Sequence, residues 1–470
     1  MAKAKLIEKI GYGFGDMSSS MFWKIFSYYL PFFYSNIFGL SLTDAGVLVL
    51  VTRVWDAIAD PMMGVIADRT HTRWGKYRPY LIWVAPLFSV CGILLFTTPD
   101  LSYAGKLIWA YVTYILMMTV YTAINVPYGA MLGVMTDDSK EKTVFSSFRM
   151  FFAYGGSFIS LAAWEPICNV FKGLNYSSTT SWQLSMVIMA CMTLVFFLLC
   201  FTLTRERIKT VSNVSVGSDI KALLSNKPWW ILIVAALCFN LFNTVRGATV
   251  AYYFADIIGF GAVLSLGSLS ILFYAGLFLS IGEVANMAGV AMTVFIAKKL
   301  GKKTTFIGVN VGLVILSILF FFIPISPLGF WFMLLFQVLI SILTGIMSPL
   351  VWSMYADVSD YAELKFNTAS TGLIFSSSSM AQKFGSAIGG AAVLWLLAAC
   401  GYTPRTDAQM AAQTVLQQPH GAIMCLRYLM SFIPACVAVI SISVCYFYPL
   451  TTNRINDIND KLKKVRKIEE

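Results

Sequence analysis

The run R-V-W-D-A-I-A-D-P, Arg53 to Pro61, places two carboxylates and a guanidinium inside an otherwise apolar stretch. Asp56 and Asp60 are four residues apart and Arg53 lies seven before Asp60, so on a helix all three fall within about 60° of arc. Two carboxylates held together in low dielectric do not both stay charged without a cation. They share a proton, bind Na⁺, or are neutralised by Arg53. The plainer reading is a buried ion pair that holds helices together. One arginine does not neutralise two acids, however, and acids within a membrane mark ion pathways, so a cation site is the expectation.

A second constellation is V-Y-T-A-I-N-V-P-Y-G, Val120 to Gly129, where Tyr121 and Asn125 share a helical face and Thr122 sits on the adjacent strip. Pro127 removes a backbone donor there, an irregularity tolerated where a cavity is lined; Thr122 by itself could equally bond back to its own helix. Near the start of the chain, Tyr12, Asp16, Ser20, Trp23 and Ser27 recur at helical spacing as one polar and aromatic stripe. Aromatic faces combined with hydroxyl, amide and charged groups suit a sugar. Further on, Ser376, Ser379, Lys383 and Ser386 form another stripe, with Lys383 too deep to snorkel, and Arg246 is similarly deep beside Asn243 and Gly247. Glu283, with Asn286, is placed to pair with Lys383 or Arg246, or equally to take a ligand role.

The elements that must carry these residues follow from composition. The 470 residues are 58% hydrophobic and 12% charged, half the charge, about 25%, of a soluble protein. Twelve apolar segments are expected, at 11–38, 43–67, 79–97, 107–134, 149–171, 183–203, 229–258, 268–297, 304–326, 330–356, 369–400 and 422–449. Each suffices to cross a hydrocarbon core about 30 Å thick. The runs are continuous rather than alternating, which excludes a barrel.

The net charge of +11 follows the loops rather than a folded face, so no nucleic-acid partner is expected. Twenty-five of the 34 Lys and Arg lie before the first segment, in every second loop and in the tail, against Lys106, Lys172 and Arg405 in the others. That bias predicts both termini in the cytoplasm. The nine cysteines lie within apolar segments rather than as paired outer residues, so no disulfide framework is expected. No cleavable signal peptide is expected. The two histidines, His71 and His420, fall in loops, and no phosphate-binding loop, metal cluster or nucleophile elbow occurs, which argues against a multi-pass transferase and against a cofactor.

The widest loop divides the chain into an N-terminal six-helix bundle (1–204), a central cytoplasmic loop (205–228), a C-terminal six-helix bundle (229–450) and a cytoplasmic tail (451–470). Both V-I-A-D-R-T-H-T-R-W-G-K-Y-R (Val65 to Arg78) and F-I-A-K-K-L-G-K-K (Phe295 to Lys303) end a segment in a basic, glycine-containing turn. The expected fold is all-α and polytopic, with 12 transmembrane helices in two pseudo-symmetric six-helix bundles, the major facilitator plan, in which substrate sites lie between the halves.

G-Y-G-F-G-D (Gly11 to Asp16), W-D-A-I-A-D-P (Trp55 to Pro61), A-D-R-T-H-T-R-W-G-K-Y-R-P (Ala67 to Pro79), Y-T-A-I-N-V-P-Y (Tyr121 to Tyr128), Arg149 and D-V-S-D-Y-A-E (Asp357 to Glu363) together resemble the glycoside-pentoside-hexuronide:cation symporters, the melibiose permease family, over residues 10 to 450. The resemblance implies cation-coupled sugar uptake by a multi-pass, monomeric protein of the bacterial inner membrane, its partners being a small-molecule sugar, the coupling cation and the lipid bilayer. It implies a cation at Asp56, Asp60 and Thr122. It places sugar-site positions at Ser20, Asn125, Gly129, Arg149, Ser348 and Lys383, of which the arginine and lysine keep the family's residue type. Arg246 and Trp352 resemble positions of the xyloside and glucuronide branches. With Tyr121, Asp16 and Trp23 these complete the expected substrate set.

Ala59 stands where the family's Na⁺ user has an asparagine, so H⁺ is favoured as coupling ion and Na⁺ at Asp56 and Asp60 is second. The basic turn resembles a gate, formed by Asp68, Arg73 and Lys76 with Asp137 or with Asp357 and Asp360. An amphiphile or lysolipid carrier is the alternative within the same fold; the polar face of the first segment argues against it.

Overall fold

Serine hydroxyls start three of the long helices. Ser41 accepts from the Asp44 amide at 3.1 Å, Ser102 from Gly105 at 3.3 Å and Ser177 from Thr180 at 3.2 Å, each satisfying one of the amides that a first helical turn leaves unbonded. The computed structural model describes residues 5–136, 139–207, 223–266, 269–366, 371–414 and 416–469.

In the N-terminal half the helices are α1 (Leu6–Tyr28), α2 (Leu30–Asn36), α3 (Leu42–Arg69), α4 (Pro79–Trp83), α5 (Ala85–Leu95), α6 (Tyr103–Met135), α7 (Ser139–Gly173) and α8 (Ser178–Leu203). After them come α9 (Lys227–Tyr253), a π turn (Phe254–Ile258), strands β1 (Ala262–Leu266) and β2 (Leu269–Phe273), then α10 (Ala275–Leu300), α11 (Lys302–Phe320), α12 (Pro327–Phe366), α13 (Thr371–Ala399), α14 (Asp407–Ala411), α15 (His420–Met430), α16 (Phe432–Tyr446) and α17 (Thr452–Glu469). The chain is an all-α polytopic membrane protein, with one hairpin among the described residues. Among the described residues eight helices are long and apolar enough to cross a membrane. Although α1, α3 and α7 are long enough, they carry Lys24, the Arg53–Asp56–Asp60 set, and Arg149 with Glu165.

The hairpin was not expected. β1 and β2 pair antiparallel, Ala262 opposite Phe273 and Leu264 opposite Ile271, where the apolar run suggests the start of a helix at residue 268. A short unbroken apolar run has the same composition in either state. Here the chain leaves the π turn through Gly259 and Phe260, both left-handed, at φ 85° and 68°, which aims it away from the helix axis.

Two compact units are distinguished. The first comprises Met1–Ser212, Gly247–Glu283 and Gly390–Leu426. Within it α1 packs on α7 and α8, and α3 on α6. The G-Y-G-F-G opening explains how α1 approaches so closely: a Cβ at Gly13 would lie 2.5 Å from the Phe152 ring and one at Gly15 would lie 2.3 Å from the Tyr128 ring. Tyr128 also donates to the Tyr12 carbonyl at 2.6 Å, locking α6 to α1 next to the polar stripe.

The same unit contains a fully buried ion pair, Asp256 with Arg405 at 2.7 Å. Tyr402 and Gln418 also donate to the Asp256 carboxylate, and the Arg405 amide donates to Asn36. Arg405 is therefore not the solvated loop residue its position suggests.

The second unit, Asn213–Arg246, Val284–Gly389 and Arg427–Glu470, packs α11 on α12 and α16, and α17 on α12. Its apolar core includes Leu232, Phe242, Met347, Tyr355 and Ile374. Asp256→Ala should leave the Arg405 charge buried without its partner and destabilise the fold by about 3–5 kcal/mol. The check is thermal unfolding of the detergent-solubilised protein; an unchanged Tm would refute it.

Candidate functional site

Packing of α3 on α6 brings the two constellations together. The Thr122 hydroxyl lies 2.9 Å from Asp56 Oδ1 and 2.9 Å from Asp60 Oδ1, so it points to the acids of α3 rather than back along its own helix. Asp56 and Thr122 are buried. A hydroxyl has one proton to give. Two carboxylate oxygens gathered on it make a cluster of like charge that low dielectric tolerates only with a proton or cation among them. Arg53, also buried, lies with its guanidinium 4.1 Å from the centre of the Trp23 ring, a cation–π contact. Trp23 in turn lies 5.5 Å from the Tyr121 ring. The acids, the arginine and the aromatic pair thus form one continuous set from α1, α3 and α6.

Asp16 on α1 accepts from Arg149 Nε on α7 at 2.9 Å, and the Arg149 guanidinium sits 5.3 Å from the Tyr128 ring. Two expected substrate residues are therefore bonded to each other. Asn125 is half-buried and donates to the Tyr121 carbonyl at 3.0 Å, while Ser20 is half-buried on α1.

The remaining expected residues lie in the second unit. Arg246 is buried and donates to the Met430 carbonyl at 2.6 Å and to Gln337 at 3.2 Å, contacts that hold helices together. Lys383 on α13 is half-buried, as is Trp352, which packs near Tyr355.

Several partners differ from expectation. Glu283 pairs with Lys24 at 2.6 Å rather than with Lys383 or Arg246, because the first turns of α10 belong to the same unit as α1. Asp357 is bonded through both oxygens to Lys302 at 2.7 Å, the near end of α11, which satisfies it without the basic turn. In that turn the Arg73 guanidinium lies over Trp74 and the Lys76 ammonium over Tyr77. Asp360 is half-buried on α12. Asp137 and the Asp68 side chain lie outside the described residues.

The turn's acid is Glu206, which the sequence reading missed. Its carboxylate accepts from the Lys76, Tyr77 and Arg78 amides, each at 2.7 Å, a main-chain anion cradle. Gly75, at φ 116°, makes the cradle possible: a Cβ there would lie 2.5 Å from the Glu206 carboxyl carbon. Arg78 donates to the Phe201 carbonyl at 2.7 Å. Burial lowers the Arg78 pKa from its ordinary value while Glu206 opposes the shift. An acid just after the sixth segment, opposite a glycine-containing basic turn, was the available signal.

The polytopic helical chain and the proteins it matches define a membrane transporter rather than an enzyme. Residues 11–452 match the family model described as MFS/sugar transport protein, and the chain belongs to that family. It is 33% identical to the putative glycoside/cation symporter YagG of Escherichia coli, over 99% of this chain and 96% of that one. It is also 33% identical to the isoprimeverose transporter of Lactiplantibacillus pentosus, over 84% and 80%. A crystal structure of a variant of the nucleoside transporter NupG superposes with a TM-score of 0.67 at 13% identity, covering 94% of this chain and all of that one; this likeness shows the fold. The protein is a multi-pass symporter of the bacterial inner membrane with the major facilitator fold.

Glu206→Ala should release three amides from a charged acceptor, each such bond contributing about 1.5–3 kcal/mol. Faster tryptic cleavage after Lys76 in the solubilised protein is the expected readout. Cleavage at the original rate would show that the cradle does not hold the turn.

Proposed function

We propose that this chain takes up a glycoside, pentoside or hexuronide together with H⁺, by alternating access of two six-helix bundles. The observation that carries the reading is the Thr122 hydroxyl set between Asp56 and Asp60, beside the Trp23–Tyr121 pair that a sugar ring can stack on. The names of the two relatives, a glycoside/cation symporter and an isoprimeverose transporter, support a glycoside as cargo. Twelve spans are counted by adding α1 with α2, α3, α4 with α5, and α7 to the eight apolar helices. The bundles are residues 1–204 and 229–450, joined by the loop 205–228 and followed by the tail 451–470. The bias of Lys and Arg puts the termini in the cytoplasm, and one chain supplies the whole site, consistent with a monomer.

In this reading Asp56, Asp60 and Thr122 hold the coupling ion, and Arg149, Lys383, Asn125, Trp23, Ser20, Tyr121, Asp16 and Trp352 face the sugar. Arg246 is already engaged and is assigned to structure. The basic turn, with Arg73, Lys76 and Glu206, acts at the cytoplasmic gate. H⁺ is preferred to Na⁺ because Na⁺ needs several oxygens, whereas Ala59 offers none from its side chain and a proton needs only one carboxylate.

The coupling test uses right-side-out vesicles. Asp60→Asn should abolish uphill accumulation while leaving downhill exchange. In the unaltered protein, sugar affinity should fall as pH rises, because the acid must carry its proton to favour the sugar-binding form, and added Na⁺ should leave it nearly unchanged. Full accumulation by the variant would refute the acids' role, and a tenfold gain in affinity with Na⁺, about 1.4 kcal/mol of coupling, would reverse the choice of ion.

The substrate test is binding by Arg149→Ala and Lys383→Ala, each expected to lose about 1.5–3 kcal/mol. Unchanged affinity in both would move the site elsewhere.

A further inference from the structure

Lys24 and Glu283 form a buried pair whose hydrogen bonding is unfinished. Lys24 Nζ donates to Glu283 Oε1 at 2.6 Å and to the Tyr28 hydroxyl at 3.3 Å, using two of its three protons. Glu283 is 3% exposed, yet its Oε2 has no hydrogen-bond partner among the described residues. A carboxylate oxygen taken out of water and left without a donor costs free energy.

Three other buried acids that sit in ion pairs do not accept that cost. Asp256 uses both oxygens, on Arg405 with Gln418 and on Tyr402. Glu8 gives both to Arg207, and Asp357 gives both to Lys302. A pair that served only to fasten helices would be expected to match them. The Lys24 side chain retains 21% exposure against 4% for Glu283, so the pair can be reached at its lysine end. It is also one residue from Trp23, whose ring lies against Tyr121.

From this we infer that Lys24 and Glu283 form a hydroxyl-recognition subsite for a vicinal diol of the transported sugar. One hydroxyl donates to Glu283 Oε2 and its neighbour accepts the third proton of Lys24. The inference rests on the sugar-transport reading above and adds a specificity-determining acid to it. Lys24 lies in the N-terminal half of the sequence and Glu283 in the C-terminal half, so the diol binds residues from both.

The experiment measures binding of an accepted glycoside and its monodeoxy derivatives to the purified full-length protein. Wild type should bind one deoxy derivative, lacking the hydroxyl that donates to Glu283, about tenfold more weakly than the parent glycoside. Glu283→Gln removes the charge and replaces one of the two acceptor oxygens with an amide donor; it should bind the parent about tenfold more weakly and no longer distinguish that derivative. Glu283→Asp keeps the charge but retracts it, and should show the same selective loss, which covers the case of a misfolded amide variant.

The double exchange Lys24→Glu with Glu283→Lys preserves the ion pair. If it restores wild-type affinity and the wild-type ranking of derivatives, the pair is only structural and the inference fails. It fails equally if Glu283→Gln and Glu283→Asp bind every derivative as wild type does, while the sugar reading stands. Wild-type protein that binds no glycoside at all would instead overturn the sugar reading itself.

Discussion

An ion in hydrocarbon is so poorly solvated that every charge within the spanning helices needs a partner, and this one constraint organises most of the chain. It sets which helices meet: Thr122 on α6 between the acids of α3, Asp16 on α1 with Arg149 on α7, Lys24 on α1 with Glu283 on α10. It also explains why α1, α3 and α7 are less apolar than the helices that cross on composition alone. A helix that carries the chemistry cannot also be the most lipid-like, so its stability comes from neighbours. The glycines at 13 and 15 let those neighbours approach to contact.

The first unit uses its polar groups in two different ways. Around Asp256 and Arg405 every carboxylate oxygen is satisfied and the pair is closed to water, an arrangement that resists change because breaking it strands a charge. Around Thr122 one hydroxyl serves two acids, which leaves the cluster's charge dependent on what else it binds. The first is a fastener; the second is the group that changes state in the proposed coupling. Arg53 belongs to the second arrangement: it is buried beside the acids with its guanidinium against the Trp23 ring.

The helical framework was legible because crossing a membrane needs about 20 apolar residues, a signal carried by composition alone. The spacing of Asp56 and Asp60 on α3 likewise followed from helical period, and so did the proximity of Tyr121 and Asn125. What sequence could not supply was pairing across helices. Glu283 has several bases at similar depth, and only the packing of its helix decides for Lys24. The basic turn was read through its side chains, whereas Glu206 reads its main chain. The hairpin at 262–273 was invisible for another reason: its apolar run has no periodicity that separates a buried strand from the start of a helix.

The Glu206 cradle divides the turn's information between two kinds of group. Its shape depends on three amides, which every residue except proline can supply, and on the absence of a side chain at Gly75. The identities of Arg73, Lys76 and Tyr77 do not enter that geometry. Evolution can therefore vary the charges presented by the loop while keeping its course fixed, so among descendants of one ancestor the glycine and the glutamate should persist as a pair even where the basic residues between them have drifted.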